Sequence, residues 1–269
     1  MSFKFDPAVV VLIALAIALY VRAVRILASR GYRVPGLQQA AWYGGMSLTA
    51  IGLLSPVDTL GTDLLSAHMG QHLLIADLSA PLLLIGIRTP VFVFLLPKPL
   101  LVTLAHRHGL RRALRWLRQP KVAVPVWIVI LYGWHLAFLF VAASRHPLIH
   151  ALQHESFVAG SLLVWWSVIE PKRRRLPADL WKVPYLLGSR LPGMLLGMAF
   201  IIMSSPAYVA FYGDRAELHG LSPITDQQIA GGMMMVLDLV VMLSSVAFFF
   251  YRSAQDHDRA EERTAAAAG

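Results

Sequence analysis

His68 and His72 are spaced i, i+4 along the chain, and so are His150 and His154. In a helix that spacing puts both imidazoles of a pair on one face, one turn apart. Neutral imidazole is the commonest metal ligand, and two such pairs on two helices can converge on one ion. His135 falls in the outer half of a neighbouring predicted helix, at a depth where it can join them. Met46, Met69, Met203 and the run Met233–Met235 lie in the same zone. Thioether with imidazole, in a chain that has no cysteine, suits copper(I). Zinc is the weaker alternative, with Glu155 beside His154 as a carboxylate ligand. The expected ligand set is therefore His68, His72, His135, His150 and His154. His146 and His219 fall in loops. A lone histidine near a helix end more often makes an ordinary hydrogen bond, and methionines more often pack than bind; the paired spacing is what raises the metal reading.

Asp77 and Asp238 fall near the middle of two apolar stretches. An ionisable group there costs roughly 2.5–3.5 kcal/mol on insertion scales, so each must face inward and find a partner. Two readings stay open: a proton path or polar network near the metal, and a structural clasp between helices. Asp77 is about 7.5 Å beyond His72 by helical rise and one residue past the i+4 position, off that histidine's face. Walker A, GxGxxG and HExxH patterns are all absent. The segment His68-Met69-Gly70-Gln71-His72 has a zincin's histidines without its glutamate, which argues against a protease.

The elements that must position these residues are membrane spans. Of the 269 residues, 57% are hydrophobic and only 14% charged, against roughly 25% charged in an average soluble domain. The apolar residues come in blocks of about 20, the length that crosses a ~30 Å hydrocarbon core. The predicted fold is an all-α membrane protein: a bundle of seven transmembrane helices over residues 1–251, then a short charged tail, 252–269. The spans are Ala8–Leu27, Leu37–Leu54, Leu64–Ile87, Val122–Ala143, Leu148–Ile169, Val183–Ser204 and Ile229–Tyr251. The stretch Val91–Leu96 between two prolines is too short to span and reads as an interfacial continuation. Of 24 Lys and Arg residues, all but Lys4, Arg145 and Arg215 fall on one side, with Arg190 counted just inside a span. By the positive-inside rule that side is cytoplasmic, so the N-terminus is outside and the C-terminus cytoplasmic. The net charge of +9 thus reports topology and contact with anionic lipid, with no nucleic-acid site. Trp42, Tyr43, Trp165, Trp166, Tyr185 and Tyr251 lie near span ends, as an interfacial belt does. Gln255–Arg263 and Thr264–Gly269 carry composition signals of disorder. The seven histidines other than His106, His108 and His257 fall toward the outer face, although the topology rests on Lys and Arg alone.

With these residues in hand, the chain resembles the CtaG family of cytochrome c oxidase assembly factors, the type associated with caa3 oxidases. The matching pieces run from His68 to His72, Ala80-Pro81-Leu82, Trp134-His135, His150 through His154 to Trp165-Trp166, and Ser222-Pro223-Ile224-Thr225-Asp226-Gln227-Gln228-Ile229-Ala230-Gly231-Gly232. They cover about Asp58 to Tyr251. Met235 departs from the pattern, where tryptophan is expected. The resemblance implies a non-enzymatic, multi-pass protein of the bacterial plasma membrane. It would help mature a haem–copper oxidase by supplying copper, with an oxidase subunit as partner. It carries His68, His72, His135, His150 and His154 over as family histidines, and Asp226 and Gln227 as motif residues without an assigned role. Two other classes compete: a b-type membrane cytochrome with haem between facing histidines, and a transporter using Asp77 and Asp238.

Overall fold

The computed structural model describes residues 7–169 and 181–268, with side chains to Gln255. Lys4, the basic run Lys172–Arg175 and the side chains of His257, Arg259 and Arg263 lie outside the described residues. The described chain is helical, with no strand. Its long helices are α1 (Pro7–Ser29), α2 (Gly36–Leu54), α3 (Leu65–Gly86), α4 (Pro120–His135), α5 (Ala137–Arg145), α6 (Pro147–Ile169), α7 (Lys182–Ile202) and α8 (Pro223–Ala268). Four of them, α1, α3, α7 and the Pro223–Gln255 part of α8, are long and apolar enough to cross a membrane. The pair α4–α5 is apolar enough for a fifth when taken as one span bent by 74°. Helices α2 and α6, of 19 and 23 residues, match the spans in length. Their polar residues, Gln38 and Gln39 in one and His150, Gln153 and His154 in the other, keep them below that apolarity.

Polar atoms fasten the bundle at mid-depth. Arg190 of α7 is 1% exposed. Its Nη1 donates to Asp77 of α3 and, at 3.2 Å, to Asp238 of α8. The Trp127 and Trp165 rings lie 5.8 and 5.6 Å from the guanidinium carbon, close enough for cation–π attraction. The arginine counted above as a basic residue at a span end is therefore an interior residue, and the partner that both aspartates required. Two glycines let the carboxylate and the helices come close. A Cβ on Gly193 would collide with the Asp238 carboxylate, and one on Gly197 would sit 2.7 Å from the Gly231 carbonyl oxygen. Gly193 and Gly197 make a small-xxx-small seam, the usual device where helices pack without a hydrophobic drive. Met235, the departure noted above, packs against that seam.

Helix α3 is not uniform. From Leu73 to Ser79 it widens into a π-helix, a feature frequent at functional sites. Where the π turn would return an N–H to the Ala76 carbonyl, Pro81 has none. Ser161 Oγ of α6 donates to that carbonyl instead, at 2.7 Å. The wider turn brings residue i+5 beneath residue i, so His72 and Asp77 face one cavity. The expectation that Asp77 points off the His72 face, based on α-helical spacing, is corrected here.

Three other expectations change. The single fourth span is broken at Leu136, where α4 and α5 meet at 74°. Leu136 is extended, and the freed His135 carbonyl accepts from Tyr208 Oη at 2.9 Å. Trp42 and Trp165 are buried packing residues and not belt residues: Trp42 stacks on Tyr20 of α1 at 4.6 Å. The segment read as disordered continues α8 to Ala268, because Ser253 to Ala268 holds no Gly or Pro and many strong helix formers. The stretch after Pro90 forms a short helix, Val91–Phe94, packed under α1.

Replacing Arg190 with Met leaves two carboxylates facing each other without their cation. Breaking a buried pair typically costs about 3–5 kcal/mol. Thermal unfolding of the detergent-solubilised protein should show a large fall in midpoint for Arg190→Met. An unchanged midpoint would mean the clasp does not hold the bundle.

Candidate metal centre

One end of the bundle is closed by short segments. The helix Pro56–Leu60 precedes α3, and Val209–Tyr212 and Arg215–His219 precede α8. Tyr212 Oη donates to the Gly61 carbonyl at 3.1 Å, Arg215 to that of Thr62 at 3.0 Å, and Arg145 to that of Ala210 at 2.8 Å. The start of α3 is capped from a distance. Asp226 accepts from the Leu65 N–H at 2.6 Å, the Ser66 N–H at 3.1 Å and the Ser66 hydroxyl. A carboxylate there satisfies orphan amides and opposes the positive helix end. Gln227 accepts from the Ala207 N–H at 2.7 Å and donates to the Phe200 carbonyl at 3.1 Å. The motif residues without an assigned role are thus the ties that fix where α3 and α7 end.

These ties hold the paired histidines. His68 and His72 are 3% and 7% exposed, and their Nε2 atoms lie 2.8 Å apart. Across from them, the His150 and His154 ring centres are 4.2 Å apart. His68 stacks on His150 at 5.3 Å and His72 meets His154 at 4.9 Å. The four rings close a square, each touching two others, with Phe140 and Phe157 packed against it. Three of these rings bury a nitrogen without a hydrogen-bond partner: His72 Nδ1, His150 Nε2 and His154 Nε2. A bare buried imidazole nitrogen costs about 1–3 kcal/mol unless something binds it, which is the chemistry of a soft-metal ligand. Among the described residues, no three His, Asp or Glu side chains are arranged to hold a metal ion as placed. The rings are gathered, not set as a coordination shell.

His135 stands apart from the square. Its ring faces Phe157 at 6.2 Å and Phe200 at 5.8 Å. Its Nδ1 donates to the Leu131 carbonyl at 2.7 Å, so Nε2 carries the bare lone pair, and that atom is buried and unpartnered. The hydrogen bond of one ring nitrogen thereby sets which nitrogen is free to bind. His146 lies exposed in the α5–α6 turn, and His219 pairs with Asp63 at 3.2 Å.

Two openings serve the site. A vestibule of ≈ 560 Å³ is lined by Asp58, Gln71, Arg145, His68, His150 and His154. Asp58, which accepts from Gln71 at 2.9 Å, is the carboxylate beside the histidines; Glu155 is exposed. Behind the square is a cavity of ≈ 30 Å³ that His72 and His135 share with Met69, Met234, Asp77 and Asp238. Of the other methionines, Met46 packs beside Tyr20 and Trp42, and Met203 and Met233 are exposed. Sequence reasoning did not find Arg190 or Asp58. Asp58 carries no spacing signal, and Arg190 reads in sequence as one more basic residue after a basic loop.

A family model described as cytochrome c oxidase caa3 assembly factor matches residues 18–256. No curated protein and no solved structure matches the chain.

Asp226→Ala leaves the Leu65 and Ser66 amides uncapped and should cost about 1–2 kcal/mol. Amide exchange should speed up locally at Leu65 to His68, while the α7–α8 seam stays protected. Uniform exchange in both proteins would show that the cap does not govern the histidine-bearing turn.

Proposed function

The chain belongs to the cytochrome c oxidase caa3 assembly factor family, and on that premise we propose that it takes up copper(I) at its histidine square and passes it to an oxidase subunit. The ion is cargo, and the chain performs no catalysis on it. The observation that carries the reading is the square itself: four imidazoles in mutual contact on α3 and α6, with bare buried Nε2 atoms on His150 and His154, at the foot of a wide vestibule. Imidazole suits copper among other metals, and the oxidase-assembly family selects copper among them. Asp58 lies beside the histidines in the vestibule wall, which Arg145 also lines. His68 and His72 are held by α3, and its capped start gives them a fixed position. His150 and His154 sit half-buried on α6, on the side from which a partner subunit would receive the ion.

In this reading the chain crosses the bacterial plasma membrane seven times, as α1, α2, α3, the bent α4–α5 pair, α6, α7 and α8. The N-terminus is outside and the C-terminus cytoplasmic. What supports it is that the histidines gather at the end opposite the exposed basic helix His108–Leu117, which carries Arg111, Arg112 and Arg115. Copper would then be met in the outer part of the membrane. The contacts between rings speak against haem: a macrocycle held between histidines needs a flat slot between them, and these rings touch. The fixing of Asp77 and Asp238 by one arginine favours a clasp over a transport path.

Protein purified in detergent and loaded with copper(I) under reducing conditions should hold about one copper per histidine square, as its ligand set requires. A variant with His68→Ala, His72→Ala, His150→Ala and His154→Ala should lose it. In cells, the same variant should leave the oxidase short of copper. Protein that binds no copper, or that shows a Soret band abolished with the histidines, would overturn the proposal.

A further inference from the structure

The cavity behind the square has a donor set of its own. His135 presents its bare Nε2, and His72 has a second, unpartnered nitrogen, Nδ1; both residues line the cavity. Met69 and Met234, 2% and 5% exposed, line it too. Two imidazole nitrogens and two thioethers are a soft ligand set for a monovalent metal. Asp77 and Asp238 line the same cavity and share the single guanidinium of Arg190. With both carboxylates ionised, two negative charges face one positive charge, and one further positive charge would balance the group. A lone cation at membrane depth is otherwise costly. At ≈ 30 Å³ the space suits one small ion or a water, and no larger ligand.

We propose that this cavity is a second, inner copper(I) station, coordinated by His72, His135, Met69 and Met234 and charge-balanced by the Asp77–Arg190–Asp238 clasp. His72 belongs to both stations. Its Nε2 touches His68 in the outer square and its Nδ1 has no partner, so this one ring can pass an ion inward or outward. The π-helical segment that begins at Leu73 aligns His72 over Asp77 and brings station and clasp together. The inference rests on the copper reading of the outer square and divides the five histidines between two sites.

X-ray absorption at the copper edge tests it directly, since the chain has no cysteine and any sulfur bound to copper must come from methionine. Copper(I)-loaded protein should show sulfur as well as nitrogen neighbours. Met69→Leu with Met234→Leu should lose the sulfur signal and keep nitrogen-bound copper in the outer square. His150→Ala with His154→Ala should keep sulfur-bound copper. Copper held by nitrogen alone in the unaltered protein, or a sulfur signal that survives the double methionine variant, would refute the inner station and leave the outer site standing. Failure of every form to bind copper would remove both.

Discussion

Arg190 holds a full charge where water does not reach, and the three helices around it are arranged to make that tolerable. Its partners come from α3 and α8, and two tryptophans flank its guanidinium. An unpaired charge in hydrocarbon is expensive, so no arrangement of α3, α7 and α8 that separates these residues competes with this one. The clasp therefore sets the rotation and depth of all three helices. Gly193 is part of the same requirement, because a methyl group there would occupy the space of the Asp238 carboxylate. Buried ion pairs contribute little to net stability compared with apolar packing, and their attested use is to fix register. Register is what the histidine end needs.

From the clasp outward, register is transmitted along α3. Asp77 fixes the helix at mid-depth, and Asp226 fixes its start through the Leu65 and Ser66 amides. Gln71 fastens it sideways to the end of α2 and to Asp58. Between these points the helix changes pitch, and the π segment absorbs the difference. A uniform α-helix pinned at both ends would carry His72 and Asp77 to different faces. Here they share one cavity, and the structural aspartate stands over the same space as the histidine.

The helical class, the helix order and the pairing of histidines were legible because they depend on local pattern: apolar blocks and i, i+4 spacing. The mid-helix position of two aspartates was legible too, which is why they could be expected to have partners. The partner itself was not, because Arg190 follows a basic loop and reads as one more inside charge. Only the tertiary fold separates it from its neighbours in sequence. The break at Leu136 was hidden for a related reason. Nothing in Trp134-His135-Leu136 disfavours a helix, and the His135 carbonyl is drawn out by Tyr208, more than seventy positions away. The π segment likewise answers to Pro81 and Ser161 together, one local and one distant. His135 was grouped with the histidine pairs by its position in sequence, whereas in the fold Phe157 packs between it and His72.

Whether the histidines bind an ion or merely brace the outer end of the bundle turns on how the molecule treats polar atoms nearby. Asp226 at this end accepts three hydrogen bonds and both ends of the Gln227 amide are used, while Gln153 beside His154 buries an unpartnered Oε1. Trp134 donates to Ser156 and Tyr208 to His135. The imidazoles are treated differently. Four of them bury a nitrogen with no partner, and three of those four belong to one square of touching rings. Each such atom costs about 1–3 kcal/mol, and apolar rings of the same shape would pack there without that cost. Elsewhere, orphaned atoms such as Tyr20 Oη, Trp42 Nε1 and Trp165 Nε1 belong to large rings whose packing explains their burial. On the proposed copper reading, a bound cation would supply the partner that these nitrogens lack.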